Sequence, residues 1–264
     1  CECAAGYEGR RCQTCTACGV EGLDCGSDAG TCVIPPDVSA AFNDGVTPLT
    51  TLDFTDNNLV GSLPNLCAAF PELTSIILAS NPGLDAGPVP EWLSECSKLN
   101  EIRCRDSNRN GNMSATNICA ANPELQVINL NNNAFDAGPV PAWLTDCTKL
   151  TAVSFAGTNR NGDMSLATTA LAASASTLTS ISMDNNNGFD PGPVPLGIAE
   201  FTNLHTVMLA DSNRNGDLGN IDLRNSKNTL QVIDLSKNTN VKAGPLPAWL
   251  VAFSNLLSFE GSEI

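Results

Sequence analysis

The stretch LQVINLNNN, residues 125–133, carries apolar side chains at its first, fourth and sixth positions and asparagine at its ninth. LTSIILASN at 73–81 and LQVIDLSKN at 230–238 repeat the arrangement. Nine segments open this way, at Leu49, Leu73, Leu99, Leu125, Leu150, Leu178, Leu204, Leu230 and Leu256, with a period of 24 to 28 residues. In extended backbone, positions 4 and 6 point to one side and their neighbours to the other. A single short strand cannot bury its apolar side, but stacked copies share one core.

This pattern is the leucine-rich repeat signature. It predicts an α/β solenoid over residues 49–264, with short parallel strands on one face. The return segments are expected to be irregular, 3-10 or short helical. The ninth-position amide is placed to satisfy backbone groups of the adjacent turn. Asn57, Asn81, Asn133, Asn186 and Asn238 form the expected ladder.

Two motifs alternate between the strands. GPVP or GPLP begins at Gly87, Gly138, Gly192 and Gly244, separated by 51, 54 and 52 residues. The glycine is expected to bend the chain, and the prolines to start the return where no ladder N–H is needed. Trp92, Trp143 and Trp249 follow and should cover the edge of the core; Leu196-Gly197-Ile198 stands in the third copy. The intervening repeats carry Ser107, Thr158 and Ser212 at the ninth position, each followed by NRNG. The Asn-Gly pair there predicts a tight turn with positive φ.

The continuation LxGxIPxxL, best matched by NNLVGSLPNL at 57–66, resembles the plant-type extracellular leucine-rich repeat proteins. That resemblance covers about residues 49–264 and implies an extracellular setting. CECAAGYEGRRC at 1–12 resembles the last third of an epidermal growth factor-like module. The resemblance implies a Cys3–Cys12 disulfide and an upstream partner for Cys1. Residues 13–48 read as a cysteine-rich cap or linker. Its Cys15, Cys18, Cys25 and Cys32 leave three connectivities open. A start within a module and an end within a repeat suggest a segment of a longer protein.

Twelve cysteines, seven of them among the first 32 residues, point to an oxidising compartment. The CxxC spacing at Cys12, Cys15 and Cys18 lacks a nearby histidine and a second CxxC, so zinc is disfavoured. Within the repeats, Cys67 pairs by position with Cys96, and Cys119 with Cys147, each on the return side of adjacent coils. Cys104 occupies a core position and should be a buried free thiol.

Acidic residues outnumber basic ones by 28 to 13, a net charge of −15. That charge disfavours nucleic acid and anionic membrane surfaces as partners. No apolar run reaches membrane-spanning length, so direct membrane insertion is not expected of this segment. His205, the single histidine, reads as a surface residue, and no catalytic constellation or cofactor motif is present. The carboxylates Asp53 and Asp56, and Asp184 and Asp190, are read as solubilising. DSNRNGN at 106–112 and DSNRNGD at 211–217 resemble the start of a calcium loop, but the middle copy has Gly157 for the first aspartate and the final glutamate is absent. Asn112-Met113-Ser114 is an N-glycosylation sequon.

The outward strand residues are small and polar, with Arg103 and Arg105 the only ones of the type that anchors protein interfaces. The Thr/Ser content also raises ice contact, although Thr does not recur at one strand position. Uniform repeats favour an extracellular scaffolding or adhesion segment of a longer cell-surface or filament-forming glycoprotein. Its partners would be other copies of itself, a neighbouring extracellular protein or a glycan. The alternative is a ligand-binding ectodomain of the receptor or polygalacturonase-inhibitor kind.

Overall fold

A computed structural model describes residues 32–34, 48–242 and 248–261. Nine three-residue strands form one parallel sheet in chain order: β1 (Thr51–Asp53), β2 (Ser75–Ile77), β3 (Glu101–Arg103), β4 (Val127–Asn129), β5 (Ala152–Ser154), β6 (Ser180–Ser182), β7 (Thr206–Met208), β8 (Val232–Asp234) and β9 (Ser258–Glu260). The register is uniform: Leu52, Ile76, Ile102, Ile128, Val153, Ile181, Val207, Ile233 and Phe259 stand side by side. The first eight of these are buried, and burial of each such side chain contributes about 1.5–3 kcal/mol. The fold is a leucine-rich repeat solenoid.

The return segments carry α1 (Leu66–Ala69), α2 (Ile118–Ala121), α3 (Ser165–Leu171) and 3-10 turns. Asn65 and Asn117 cap α1 and α2 by accepting the N–H of Ala68 at 2.9 Å and of Ala120 at 3.1 Å. Disulfides join Cys67 to Cys96 and Cys119 to Cys147, with Cα–Cα distances of 5.0 and 5.1 Å. Cys104 is free and buried, and burial pushes its thiol up to about 12. Cys3, Cys12, Cys15, Cys18 and Cys25 and the growth factor-like stretch lie outside the described residues, as does the GPLP copy at 244–247. Cys32 opens a two-residue strand (Cys32–Val33) that pairs in parallel with Leu59–Val60.

The asparagine ladder bridges neighbouring coils. Asn133 accepts the N–H groups of Ser107 at 3.2 Å and Arg109 at 2.8 Å, and donates to the carbonyls of Cys104 and Leu130. Asn186 and Asn238 repeat this geometry on the NRNG coils before them. Asn81 accepts the Leu59 N–H and donates to Phe54. Asn57 bonds locally, to the Thr55 carbonyl. Ser107, Thr158 and Ser212 each donate only to the carbonyl three residues earlier in their own coil. At the ninth position, the asparagines of the alternate coils therefore carry the inter-coil bonds for both coil types.

The NRNG motif is built differently from the expected tight turn. Gly111, Gly162 and Gly216 do have positive φ. Yet Asn110–Gly111, Asn161–Gly162 and Asn215–Gly216 are short parallel strands, paired with Ala134–Phe135, Gly188–Phe189 and Asn240–Val241 of the next coil. On its other side each NRNG coil is bridged to a GPVP glycine: Gly87 with Arg109, Gly138 with Arg160, Gly192 with Arg214. A GPVP coil thus pairs backward and forward at different residues, and the residues between Phe135 and Gly138 supply that offset. Gly87, Gly138 and Gly192 are absent from the positive-φ residues, so the bends beside them need no left-handed backbone, and a Cβ on Gly138 would lie 3.5 Å from Arg160 Nη1.

The arginines of NRNG are the largest feature the motif conceals. Arg160 is 2% exposed. Its guanidinium donates to the carbonyls of Thr158 at 3.0 Å, Pro139 at 3.1 Å and Asp136 at 2.5 Å. Arg214 does the same with Ser212, Pro193 and Asp190, and Arg109 with Ser107 and Asp85. Burial lowers all three, Arg160 and Arg214 to about 10. A fixed fork of five donors suits carbonyls that the irregular GPVP backbone leaves unpaired.

Trp143 and Trp249 donate to the carbonyls of Met113 at 3.4 Å and Leu218 at 3.0 Å, one coil earlier. In the coil between, the stretch from Met164 to Leu178 is two residues longer than that from Met113 to Leu125. It forms α3, where the Met164 carbonyl takes the Ala167 N–H at 2.9 Å. Even a Cβ at Gly197 would fall 2.6 Å from Thr168 Oγ1, so no tryptophan fits in that copy.

Candidate ligand face

Positions 2, 3, 5 and 7 of each coil line the outer side of the nine-stranded sheet. Much of its hydroxyl content is turned back on the backbone. Thr74, Thr151 and Thr179 donate to the position-2 carbonyl of the preceding coil, at 3.0, 3.2 and 2.9 Å. Position 2 then runs through Asn100, Gln126, His205, Gln231 and Leu257, so no threonine array forms. His205 is partly buried at the head of β7, and its Nδ1 lies 2.8 Å from the Asn203 carbonyl oxygen.

Charge concentrates at two places. In the third coil Arg103 pairs with Glu101, whose other oxygen accepts the Ser75 hydroxyl at 2.9 Å. Arg105 pairs with Asp106 at 3.1 Å and reaches Ser80. Arg103 and Arg105 side chains are 41% and 49% exposed, leaving guanidinium edges open to a ligand. The second place is acidic. Asp184 follows β6, accepts the Ser182 hydroxyl at 3.2 Å, and has one buried oxygen without a hydrogen bond. Desolvation raises its carboxyl to about 6, with the charge of Asp234 on β8 adding to the rise. Asp184 is therefore not the plain solubilising residue expected, and Asp190 offers its backbone carbonyl to Arg214.

Between these places the face is neutral: Val127, Asn129, Ala152, Ser154, Ser180 and Ser182. Asn131, on the outer face after its strand, links two coils by accepting the Ser154 hydroxyl at 2.7 Å and the Ala156 N–H at 2.8 Å. From β3 to β8 is five strand spacings, about 24 Å. Among the described residues no group of His, Cys, Asp and Glu is arranged to hold a metal ion, and no helix is long and apolar enough to cross a membrane. Asn112, the sequon residue, is exposed on the flank and is not part of this face.

The Leucine Rich Repeat family profile matches residues 48–70. No curated protein matches the chain. Among solved structures it is similar to the Arabidopsis receptor kinase HAESA in complex with the peptide hormone IDA and the co-receptor SERK1, with TM-score 0.70, 20% identity, and 89% of this chain covering 38% of that one. The plant peptide hormone receptor RGFR1 in complex with RGF2 gives 0.61, 21%, 87% and 38%. A plant ice-binding protein gives 0.56, 16%, 93% and 76%. The chain thus spans about two-fifths of the two receptor chains, and what it shares with all three is the solenoid fold.

Proposed function

We propose that this chain is a non-enzymatic, extracellular ligand-binding segment that holds an extended peptide across its strand face. One observation carries the reading. In an acidic protein, two half-exposed guanidiniums, held by Glu101 and Asp106, stand together in the third coil as the only Lys or Arg side chains at outward strand positions among the described residues. They suit an acidic group of the ligand. Asp184, three strand spacings and about 14 Å from β3, and Asp234, five spacings and about 24 Å away, suit a neutral or basic end, the longer span being the reach of roughly seven extended residues. The neutral floor between them admits a backbone without large side-chain pockets. Peptide-bound receptors of the same fold support this reading by analogy of fold. The disulfides Cys67–Cys96 and Cys119–Cys147 support an oxidising, extracellular setting.

The scaffolding reading loses its main support. The repeated GPVP and NRNG features satisfy each other inside the molecule, through the arginines and the flank ladder, so their uniformity calls for no lateral partner. Ice contact is likewise weakened by the broken threonine column.

The test is selection of a randomised display library of seven- to ten-residue peptides on the intact chain, with hydrogen exchange on the selected complex. Enrichment of an acidic residue at one end and protection confined to β3 through β8 are expected. Selected peptides that protect only the return side would refute the proposal.

A further inference from the structure

We infer that Asn112 carries an N-linked glycan and that its slot on the solenoid is built to present one. The reading rests on the extracellular setting proposed above. Asn112 follows Asn110–Gly111 on the flank, where that pair joins Ala134–Phe135. Met113 is buried in the core and its carbonyl accepts Trp143 Nε1, so the two flanking residues are held outward. Both Asn112 and Ser114 are exposed. Asn112 Oδ1 accepts the Ser114 N–H at 2.9 Å, while its Nδ2 makes no hydrogen bond among the described residues. The nitrogen that would carry the sugar is therefore the one the fold does not use.

The equivalent slots two coils apart hold Asp163 and Asp217. Asp163 accepts the Ser165 N–H at 2.8 Å, and Asp217 the Gly219 N–H at 2.7 Å. An oxygen acceptor is all the fold requires there. The amide nitrogen at 112 is surplus to folding, and with Met113 and Ser114 it completes a sequon. In the transfer, Asn112 Nδ2 forms a bond to C1 of an oligosaccharide linked to a polyprenyl pyrophosphate. The C1–O bond breaks, the lipid pyrophosphate leaves with the bonding pair, and one Nδ2 proton passes to base. The glycan then occupies the flank, clear of the strand face.

The chain is secreted from eukaryotic cells as wild type, Asn112→Asp, Ser114→Ala and Asp163→Asn, and each is mapped by mass spectrometry with and without peptide-N-glycosidase. Wild type should carry one glycan on Asn112. Asn112→Asp and Ser114→Ala should carry none there. Asp163→Asn completes a sequon with Met164 and Ser165 in the sister slot and should add a second glycan.

Secreted wild type with Cys67–Cys96 oxidised and Asn112 unmodified would overturn the inference while leaving the extracellular reading intact. Natural protein with those cysteines reduced and Asn112 bare would overturn both.

Discussion

Arg160 reaches back one coil and closes its guanidinium on the carbonyl of Pro139 at 3.1 Å, immediately beside Gly138. The contact explains why the two repeated motifs alternate. The GPVP backbone leaves carbonyls that a sheet cannot pair, and the next coil supplies a buried fork of donors to meet them. Arg160→Met, which keeps the bulk and removes the donors, is expected to cost about 3–5 kcal/mol, since several buried acceptors lose their partners at once. Arg160→Lys should recover only part of that, because one ammonium cannot span the same carbonyls. Chemical denaturation of the three proteins checks the order.

Gly138 is sensitive through this contact rather than through its backbone angle. A Cβ at 3.5 Å from the guanidinium is an ordinary van der Waals distance, so Gly138→Ala is expected to cost under about 1 kcal/mol. Gly138→Val adds methyl groups toward Arg160 and should cost about 1–3 kcal/mol. Asn131→Ala removes acceptance of both Ser154 and Ala156 and should cost about 1–2 kcal/mol. Thermal melts in which Gly138→Ala matches Gly138→Val would point back to a special backbone angle.

Asp184 makes stability depend on pH. Its carboxyl is raised to about 6 from 3.8, chiefly by desolvation, so the folded state holds the proton more tightly than the unfolded state. The destabilising charge is present above pH 6 and is relieved as pH falls from 6 toward 4. Asp184→Asn should therefore raise the melting temperature at about pH 7.5, on the order of 2–4 °C, and leave it unchanged near about pH 4. Equal shifts at both pH values would assign the effect to packing.

The disulfides Cys67–Cys96 and Cys119–Cys147 and the buried Cys104 thiol are expected to differ in reactivity. Replacing Cys119 and Cys147 together by serine should cost about 2–4 kcal/mol. Cys104, pushed up to about 12 by burial, should resist alkylation in the folded protein and react once denatured. Labelling of Cys104 under native conditions at the rate of a free thiol would contradict its place in the core.

The parts of this fold that could be read in sequence are those with a local period. Leu125, Ile128 and Leu130 announce a strand because alternation and burial coincide within six residues. Cys67–Cys96 and Cys119–Cys147 follow from equivalent places on adjacent coils. The buried Arg109, Arg160 and Arg214 are not legible because arginine within Asn-Arg-Asn-Gly looks like a solvated turn, and its acceptors on the preceding coil lie 21 to 24 residues earlier. The signal was the recurrence of the arginine in all three copies: a merely solvated turn would let that residue drift. Asp184 gave no such signal, since its burial depends on residues of the sixth to eighth coils together. Arg103 and Arg105 were legible as anchors by type and strand position, whereas their pairing with Glu101 and Asp106 depends on side-chain placement that no local period encodes.

If the strand face, anchored at Arg103 and Arg105, holds an acidic extended peptide as proposed, reversing its charge must weaken binding. Binding of the library-selected peptides is to be measured by calorimetry for wild type, for Arg103→Glu/Arg105→Glu, and for Arg224→Glu/Lys227→Glu on the return side. The strand-face reversal is expected to weaken binding at least tenfold, about 1.4 kcal/mol, while the return-side reversal leaves it unchanged. Equal affinity for all three proteins, with melting temperatures preserved, would contradict it.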